Sequence, residues 1–292
     1  MKRIFGLILL LLIIGCVKTE TSNTIKVGVL ADLTGDYASV LRGGHRGAEL
    51  AAEDLRSQNM PVELIVEDQK SCDNKETVTI VNKFISADKV DFIIGGTCSS
   101  TTLAAAPIAE ASHTVMISPA SSAPSVSKAG DYIFRTYISD KFRAAAAAEL
   151  AYKLGKRKMA LLTDISNDAF IELSAGAKPK FEELGGKVVI EEKSDKDTSD
   201  FRTQLAKIQK TYPDVLMVIT GPIGSATAAK QARELGFNIQ LMAPVETVED
   251  QQVIDIAGDA VDGLIYVMPG NPPETPKYKE LQEKYKQKYK ED

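Results

Sequence analysis

Histidine and cysteine are scarce in this sequence, at two and three among 292 residues. That leaves little material for a His-built metal site or a zinc ribbon. Long blocks of Lys or Arg are missing outside the tail at 277–292, and the formal net charge is −5. The electrostatic footprint of a nucleic-acid binder is therefore absent. No Gly-Lys-Ser/Thr phosphate loop occurs, Gly43-Gly44 before His45 does not complete a dinucleotide fingerprint, and there is no Gly-x-Ser-x-Gly elbow. His113 and Cys98 can be cast as a thiol–base pair, but a disulfide at Cys98 would consume the thiol. Asp32, Asp68 and Asp164 close apolar runs, where such residues more often cap the following loop than hold a metal. No cofactor, metal or catalytic residue is expected, and an enzyme is disfavoured.

The chain does contain the balance of a soluble globular protein, with 44% hydrophobic and 26% charged residues. Its length suits one large α/β unit or two ordinary domains. At the N-terminus, Lys2-Arg3 precedes an apolar run from Ile4 to Ile14. A helix of that length reaches only about 16 Å, too short for a bilayer core, so it reads as a secretory signal. The run ends Ile13-Ile14-Gly15-Cys16, which resembles a bacterial-type lipobox. That resemblance implies cleavage after Gly15 and lipid attachment to Cys16, anchoring the chain to a bilayer; an ordinary signal peptide with an incidental cysteine is the alternative. Residues 16–23 are polar and aperiodic, as a tether would be. Losing residues 1–15 removes Lys2 and Arg3 and leaves a net charge of about −7, favourable to solubility. No second span long enough to cross a bilayer follows. With Cys16 assigned to lipid, Cys72 and Cys98 remain as a pair in an exported, oxidising compartment. A disulfide closing that loop is expected, against the alternative of two buried free thiols.

Val/Ile/Leu-rich runs at 25–31, 62–68, 92–95, 115–118, 159–163, 188–192, 215–220, 240–243 and 264–267 are nearly continuous rather than alternating. That is the pattern of parallel strands covered on both faces. Helical patterns lie between them at 47–57, 75–87, 101–111, 140–154, 171–184, 201–211, 226–235 and 248–257. Asp73 and Ser99 or Ser100 read as N-caps, and Gly155, Gly185 and Gly236 as C′ residues. Repeated β-α-β order predicts doubly wound parallel sheets. The series resets near 136–140, predicting two α/β lobes, 24–139 and 140–268, with a ligand cleft between them. The turn cluster at 269–273 predicts a second crossing, after which 269–292 returns to the first lobe. The tail helix carries Tyr278, Leu281, Tyr285 and Tyr289 along one face, and is predicted to turn that face to the core.

Two corners are rich in hydroxyls. Gly95-Gly96-Thr97-Cys98-Ser99-Ser100 is a strand end, a glycine turn and a helix start; Ser118-Pro119-Ala120-Ser121-Ser122 follows the next strand. Unpaired N–H groups at a helix start favour an anion, and open α/β sheets bind ligands beyond the carboxyl ends of their strands. Plain capping and turn chemistry is the bland reading of each corner; two corners on successive strands favour a ligand.

Ala31-Asp32-Leu33-Thr34-Gly35, Arg46-Gly47-Ala48-Glu49-Leu50, Gly95 through Ser100, Met116-Ile117-Ser118-Pro119 and Gln231-Ala232-Arg233 occur in order along the chain. In this the sequence resembles the type I periplasmic binding proteins, and among them the branched-chain amino-acid-binding (Leu/Ile/Val-binding) proteins of ABC importers. The resemblance implies a non-enzymatic solute-binding lipoprotein that delivers an amino-acid-like ligand to an ABC transporter permease. A ligand-sensing module or receptor ectodomain on the same fold is the alternative. It implies that Cys72 and Cys98 match the family disulfide. It also implies that Ser99 holds the ligand α-carboxylate and that the Ala120–Ser121–Ser122 loop receives the α-ammonium. Glu246 is implied as the acid of the second lobe that pairs with that ammonium. Ser100, Tyr37 and Asp168 complete the expected contacts. Departures concern rings: Val40 stands where relatives have an aromatic, Ala169 follows Asn167-Asp168 in place of a tyrosine, and Thr220-Gly221-Pro222 lacks another. The scaffold is retained while leucine specificity does not follow. Because the family implies three crossings and only two are visible, the chain is expected to be a truncated product that lacks a late segment.

Overall fold

The computed structural model describes residues 24–244, 250–270 and 273–291. The first sheet is built from β1 (Ile25–Ala31), β2 (Val62–Asp68), β3 (Phe92–Ile94), β4 (Val115–Ser118) and β5 (Ile133–Arg135), in the order β2-β1-β3-β4-β5. The second holds β6 (Lys158–Asp164), β7 (Lys187–Ser194), β8 (Val215–Ile219), β9 (Gln240–Ala243) and β10 (Ile265–Tyr266), in the order β10-β9-β8-β6-β7. All pairings are parallel. The two-lobed α/β architecture expected from the strand runs is thus present. In each sheet the first strand of the series lies second from an edge, so the order in which strands are added reverses beside it. Such a switch point opens a crevice at the carboxyl ends of the strands, here between β1 and β3 and between β6 and β8.

Helices α1 (Ala38–Ser57), α2 (Asn74–Lys83) and α3 (Ser99–Ala111) cover the first sheet; α4 (Asp140–Lys153), α5 (Asp168–Glu183), α6 (Arg202–Gln209), α7 (Pro222–Glu234) and α8 (Gln251–Ala257) surround the second. Met159, Ala160, Leu161 and Leu162 of β6 are all fully buried. Consecutive burial is possible because alternate side chains enter two different cores: Met159 and Leu161 meet α4 and α5, while Ala160 and Leu162 meet Phe201, Leu205 and Ala228. Asp73 caps α2 through bonds from Lys75 N and Glu76 N, both 2.9 Å. Gly155, Gly185 and Gly236 follow their helices with positive φ. Neither Ser99 nor Ser100 is the cap of α3. That position belongs to Cys98, and Ser99 opens the first turn.

The tail helix α9 (Pro276–Tyr289) departs from expectation, since none of its residues is buried. It lies on the outer, polar side of α1. Arg46 sits 4.5 Å from the Tyr289 ring centroid and 5.8 Å from that of Tyr285, and Lys284 pairs with Asp54 at 2.8 Å. The tyrosine stripe therefore meets guanidinium and carboxylates rather than an apolar core, and Leu281 stays 44% exposed. Among the described residues no helix is long and apolar enough to cross a membrane, and no cluster of His, Cys, Asp or Glu has metal-site geometry.

Candidate functional site

The loops beyond the two switch points face one another. After β3 the chain turns through Gly96 at φ +67, a conformation a side chain resists. The Gly96 carbonyl accepts from Thr102 Oγ1 at 2.5 Å, Ser118 Oγ at 2.6 Å and Ser121 Oγ at 2.7 Å. This knot ties the two hydroxyl-rich corners together and occupies Ser121 structurally. Ser99, only 1% exposed, then accepts at Oγ from the backbone N–H groups of Ser122 (3.1 Å) and Ala123 (3.0 Å). With both lone pairs used, the Ser99 hydroxyl has only its proton left to offer. Ser122 has the opposite polarity. Its hydroxyl donates to Asp140 Oδ2 at 2.7 Å, which leaves a lone pair for an outside donor.

These groups line an interlobe cavity of about 70 Å³, together with Ala120 and Tyr37 from the first lobe and Arg143, Asn167 and Phe170 from the second. A second cavity of about 330 Å³ adjoins it across Tyr37 and Asn167, and carries Lys75 and Lys196. Tyr37 crosses the cleft: a Cβ on Gly221 would lie 2.4 Å from its hydroxyl oxygen. Burial first, then the nearby carboxylates Asp164, Asp36 and Asp32, push the phenol far above its usual range, so it remains neutral. Asp164 closes β6 with its carboxyl pushed up mainly by burial and is bonded by Ser166 N at 2.8 Å and Ser166 Oγ at 2.6 Å. Beneath the first corner, Asp32 is raised by desolvation and accepts from Gln69 Nε2 at 3.0 Å and Thr97 Oγ1 at 2.5 Å.

Of the residues singled out by sequence, Tyr37, Ser99, Ala120 and Ser122 meet at this cavity. Ser100, Ser121 and Asp168 do not line it. Asp168 begins α5 half-buried, its carboxyl raised by burial and by Glu172, while its neighbours Asn167 and Ala169 face the cleft. Glu246 and Cys16 lie outside the described residues. Cys72 and Cys98 are joined, with Cα atoms 5.5 Å apart. Arg143 and Asn167 went unmarked in the sequence. Asn167 carried a readable signal, an Asn at a helix start, and it does cap α5 through Ala169 N at 3.1 Å.

A profile described as periplasmic binding protein matches residues 24–292. The chain belongs to the periplasmic binding protein family. The leucine-, isoleucine-, valine-, threonine- and alanine-binding protein of Pseudomonas aeruginosa is 27% identical, over 91% of this chain and 72% of that one. The crystal structure of a leucine-binding protein, LivK, from Thermotoga maritima superposes with a TM-score of 0.85 at 31% identity, covering 92% of this chain and 77% of that one. An ABC-transporter solute-binding protein from Rhodopseudomonas palustris, solved with 3,4-dihydroxybenzoic acid, has a TM-score of 0.77 at 25% identity, covering 91% and 74%. These relatives are solute-binding proteins rather than enzymes, and this chain is a periplasmic solute-binding protein of the type that serves ABC transporters. In this family the lobes close on a solute, which gives the Tyr37–Gly221 contact a measurable role. Gly221→Ala places a methyl group against the phenol, and overpacking of this kind costs roughly 1–3 kcal/mol. Calorimetry should show solute affinity falling roughly 5–150-fold while the melting temperature without solute is unchanged; unaltered affinity would remove Tyr37 from closure.

Proposed function

We propose that this protein is an extracytoplasmic lipoprotein that captures an α-amino acid between its lobes and delivers it to an ABC import permease. The observation that carries the reading is the opposed polarity of two neighbouring hydroxyls. Ser99 has a proton to give and Ser122 has a lone pair, matching the carboxylate and ammonium ends of a zwitterion. The start of α3 at Ser99 adds N–H groups and a positive helix end on the carboxylate side. One relative is named for binding leucine, isoleucine, valine, threonine and alanine, and another was solved with 3,4-dihydroxybenzoic acid; an acid with neither an amine nor a hydroxyl offers Ser122 no donor. In this reading the lobes divide at 139/140, residues 269–292 return to the first lobe, and Glu246 supplies an acid to the ammonium.

A thermal-shift screen across the twenty amino acids, their amides and small carboxylates, followed by calorimetry, tests it. At least one free amino acid should bind with its amide and its 2-oxo analogue much weaker. Binding confined to amine-free carboxylates would refute the reading.

Export with lipid attachment is the second part of the proposal, carried by the Ile13-Ile14-Gly15-Cys16 sequence after its short apolar run. In cells, Cys16→Ser should release the protein from the membrane fraction or leave it unprocessed. Membrane attachment identical to wild type would sink the lipobox.

A further inference from the structure

Asp140 is the first residue of α4, where the chain enters the second lobe, yet it grips the first. Its backbone N–H donates to the Ser122 carbonyl at 2.8 Å and its Oδ2 accepts the Ser122 hydroxyl at 2.7 Å. On the other side its Oδ1 accepts from Arg143 Nε at 2.8 Å and lies 2.5 Å from Nη2. The Asp140 side chain is wholly buried and that of Arg143 is 7% exposed. Arg143 Nη2 also approaches Ser122 Oγ at 3.4 Å and the residue lines the cleft. We propose that the Asp140–Arg143 pair fixes the direction of the Ser122 proton, and thereby makes the cleft select a ligand carrying an ammonium over one that carries only a carboxylate. This rests on the amino-acid reading above and adds to it the residues that enforce the choice.

A carboxylate held by a guanidinium has no proton to give, and a guanidinium has no lone pair. Ser122 therefore has one arrangement that satisfies both neighbours: it donates to Asp140 and accepts from Arg143. A lone pair is what remains for the cleft. An α-ammonium donates to it, whereas a carboxylate or 2-oxo group in the same place meets acceptor against acceptor. Ser99, whose acceptor capacity is used by two N–H groups, keeps the opposite sense. The site thus has a fixed order of donor and acceptor without a charged residue of the first lobe touching the ligand.

Asp140→Asn reverses the device at constant volume. Arg143 can only donate, so it takes the amide oxygen of the new side chain, and the NH₂ group turns to Ser122. Ser122 then accepts from the amide and its proton is released toward the cleft. Calorimetry on wild type, Asp140→Asn, Ser122→Ala and the double variant should use the tightest-binding of the twenty amino acids and the 2-oxo acid with the same side chain. The preference for amino acid over oxo acid is expected to fall roughly tenfold or more in Asp140→Asn, through lost amino-acid affinity with oxo-acid affinity kept or raised. Ser122→Ala should also lower the preference, and Asp140→Asn should change it no further in that background. A preference unchanged in Asp140→Asn, or shifted equally without the Ser122 hydroxyl, overturns the proposal and leaves the amino-acid reading standing. Should Asp140→Asn fail to fold, Ser122→Ala decides alone: an undiminished preference overturns it. A wild-type chain that binds none of the twenty amino acids sinks the amino-acid reading and this proposal with it.

Discussion

Ser99→Ala is expected to lower amino-acid affinity by roughly 30–1000-fold, equivalent to about 2–4 kcal/mol. Two losses combine. The ligand carboxylate loses a hydroxyl donor, and bonds to a charged group are worth about 1.5–3 kcal/mol. The N–H groups of Ser122 and Ala123 lose the oxygen that receives both of them, in a place where Ser122 and Ala123 are themselves buried. The loop that presents Ala120 and Ser122 is then free to shift. Ser99→Thr keeps an Oγ and should recover most of the affinity where the added methyl fits. Calorimetry with the best amino acid of the screen provides the measurement. Equal affinities for wild type and Ser99→Ala would mean that the corner serves structure alone.

How much of this was legible in the sequence depended on whether the deciding force was local. The strands were, because parallel strands buried on two faces must be continuously apolar: the run at 159–163 reads as a strand and Met159 to Leu162 are indeed fully buried. Hydroxyls bunched after a glycine turn were equally visible. Helix α1 was read from 47 but begins at Ala38, because Gly43, Gly44 and Gly47 lower propensity without breaking the helix when tertiary contacts hold it. Arg143 had no local signature: its place in the cleft follows from a 7% exposed guanidinium packing on Asp140 one turn earlier. The tail helix misled for a related reason. A tyrosine stripe at helical spacing marks a face that wants a partner, without saying whether that partner is an apolar core or, as here, Arg46 and Glu49.

Least legible was the backbone at 70–72. Lys70, Ser71 and Cys72 all have positive φ, at 53, 50 and 68 degrees, and none is glycine. Each such residue costs on the order of 1–2 kcal/mol and persists only where its surroundings over-determine it. Asp68 Oδ1 accepts from Lys70 N at 2.9 Å, and Cys72 is tied to Cys98 at the start of α3. The loop in turn holds the cleft: Ser71 Oγ accepts from Tyr37 N at 3.0 Å and donates to the Thr34 carbonyl at 2.8 Å. The tie to Cys98 therefore supports both the Ser99 corner and the backbone that carries Tyr37.

Breaking the Cys72–Cys98 link should accordingly lower stability and affinity together. The pair spans 26 residues, for which restriction of the unfolded chain gives about 3 kcal/mol. In a chain of this size that corresponds to a fall in melting temperature of roughly 6–12 °C on reduction, or in the Cys72→Ala/Cys98→Ala variant. Because the left-handed run loses its covalent fixing, the hydrogen bonds at Asp68 and Ser71 must hold it alone, and the register of Tyr37 against Gly221 loosens. Amino-acid affinity is expected to drop roughly tenfold in the same variant, about 1.4 kcal/mol, whereas Lys83→Ala, which breaks a surface pairing with Glu67 in the same lobe, should leave it unchanged. Melting with and without reductant, thiol alkylation of the native protein and calorimetry measure the three quantities. Two freely alkylatable thiols in oxidised native protein, with one melting temperature under both conditions, would show that the link does not form in solution. A lower melting temperature with undiminished affinity would confine it to the fold and detach Tyr37 from its control.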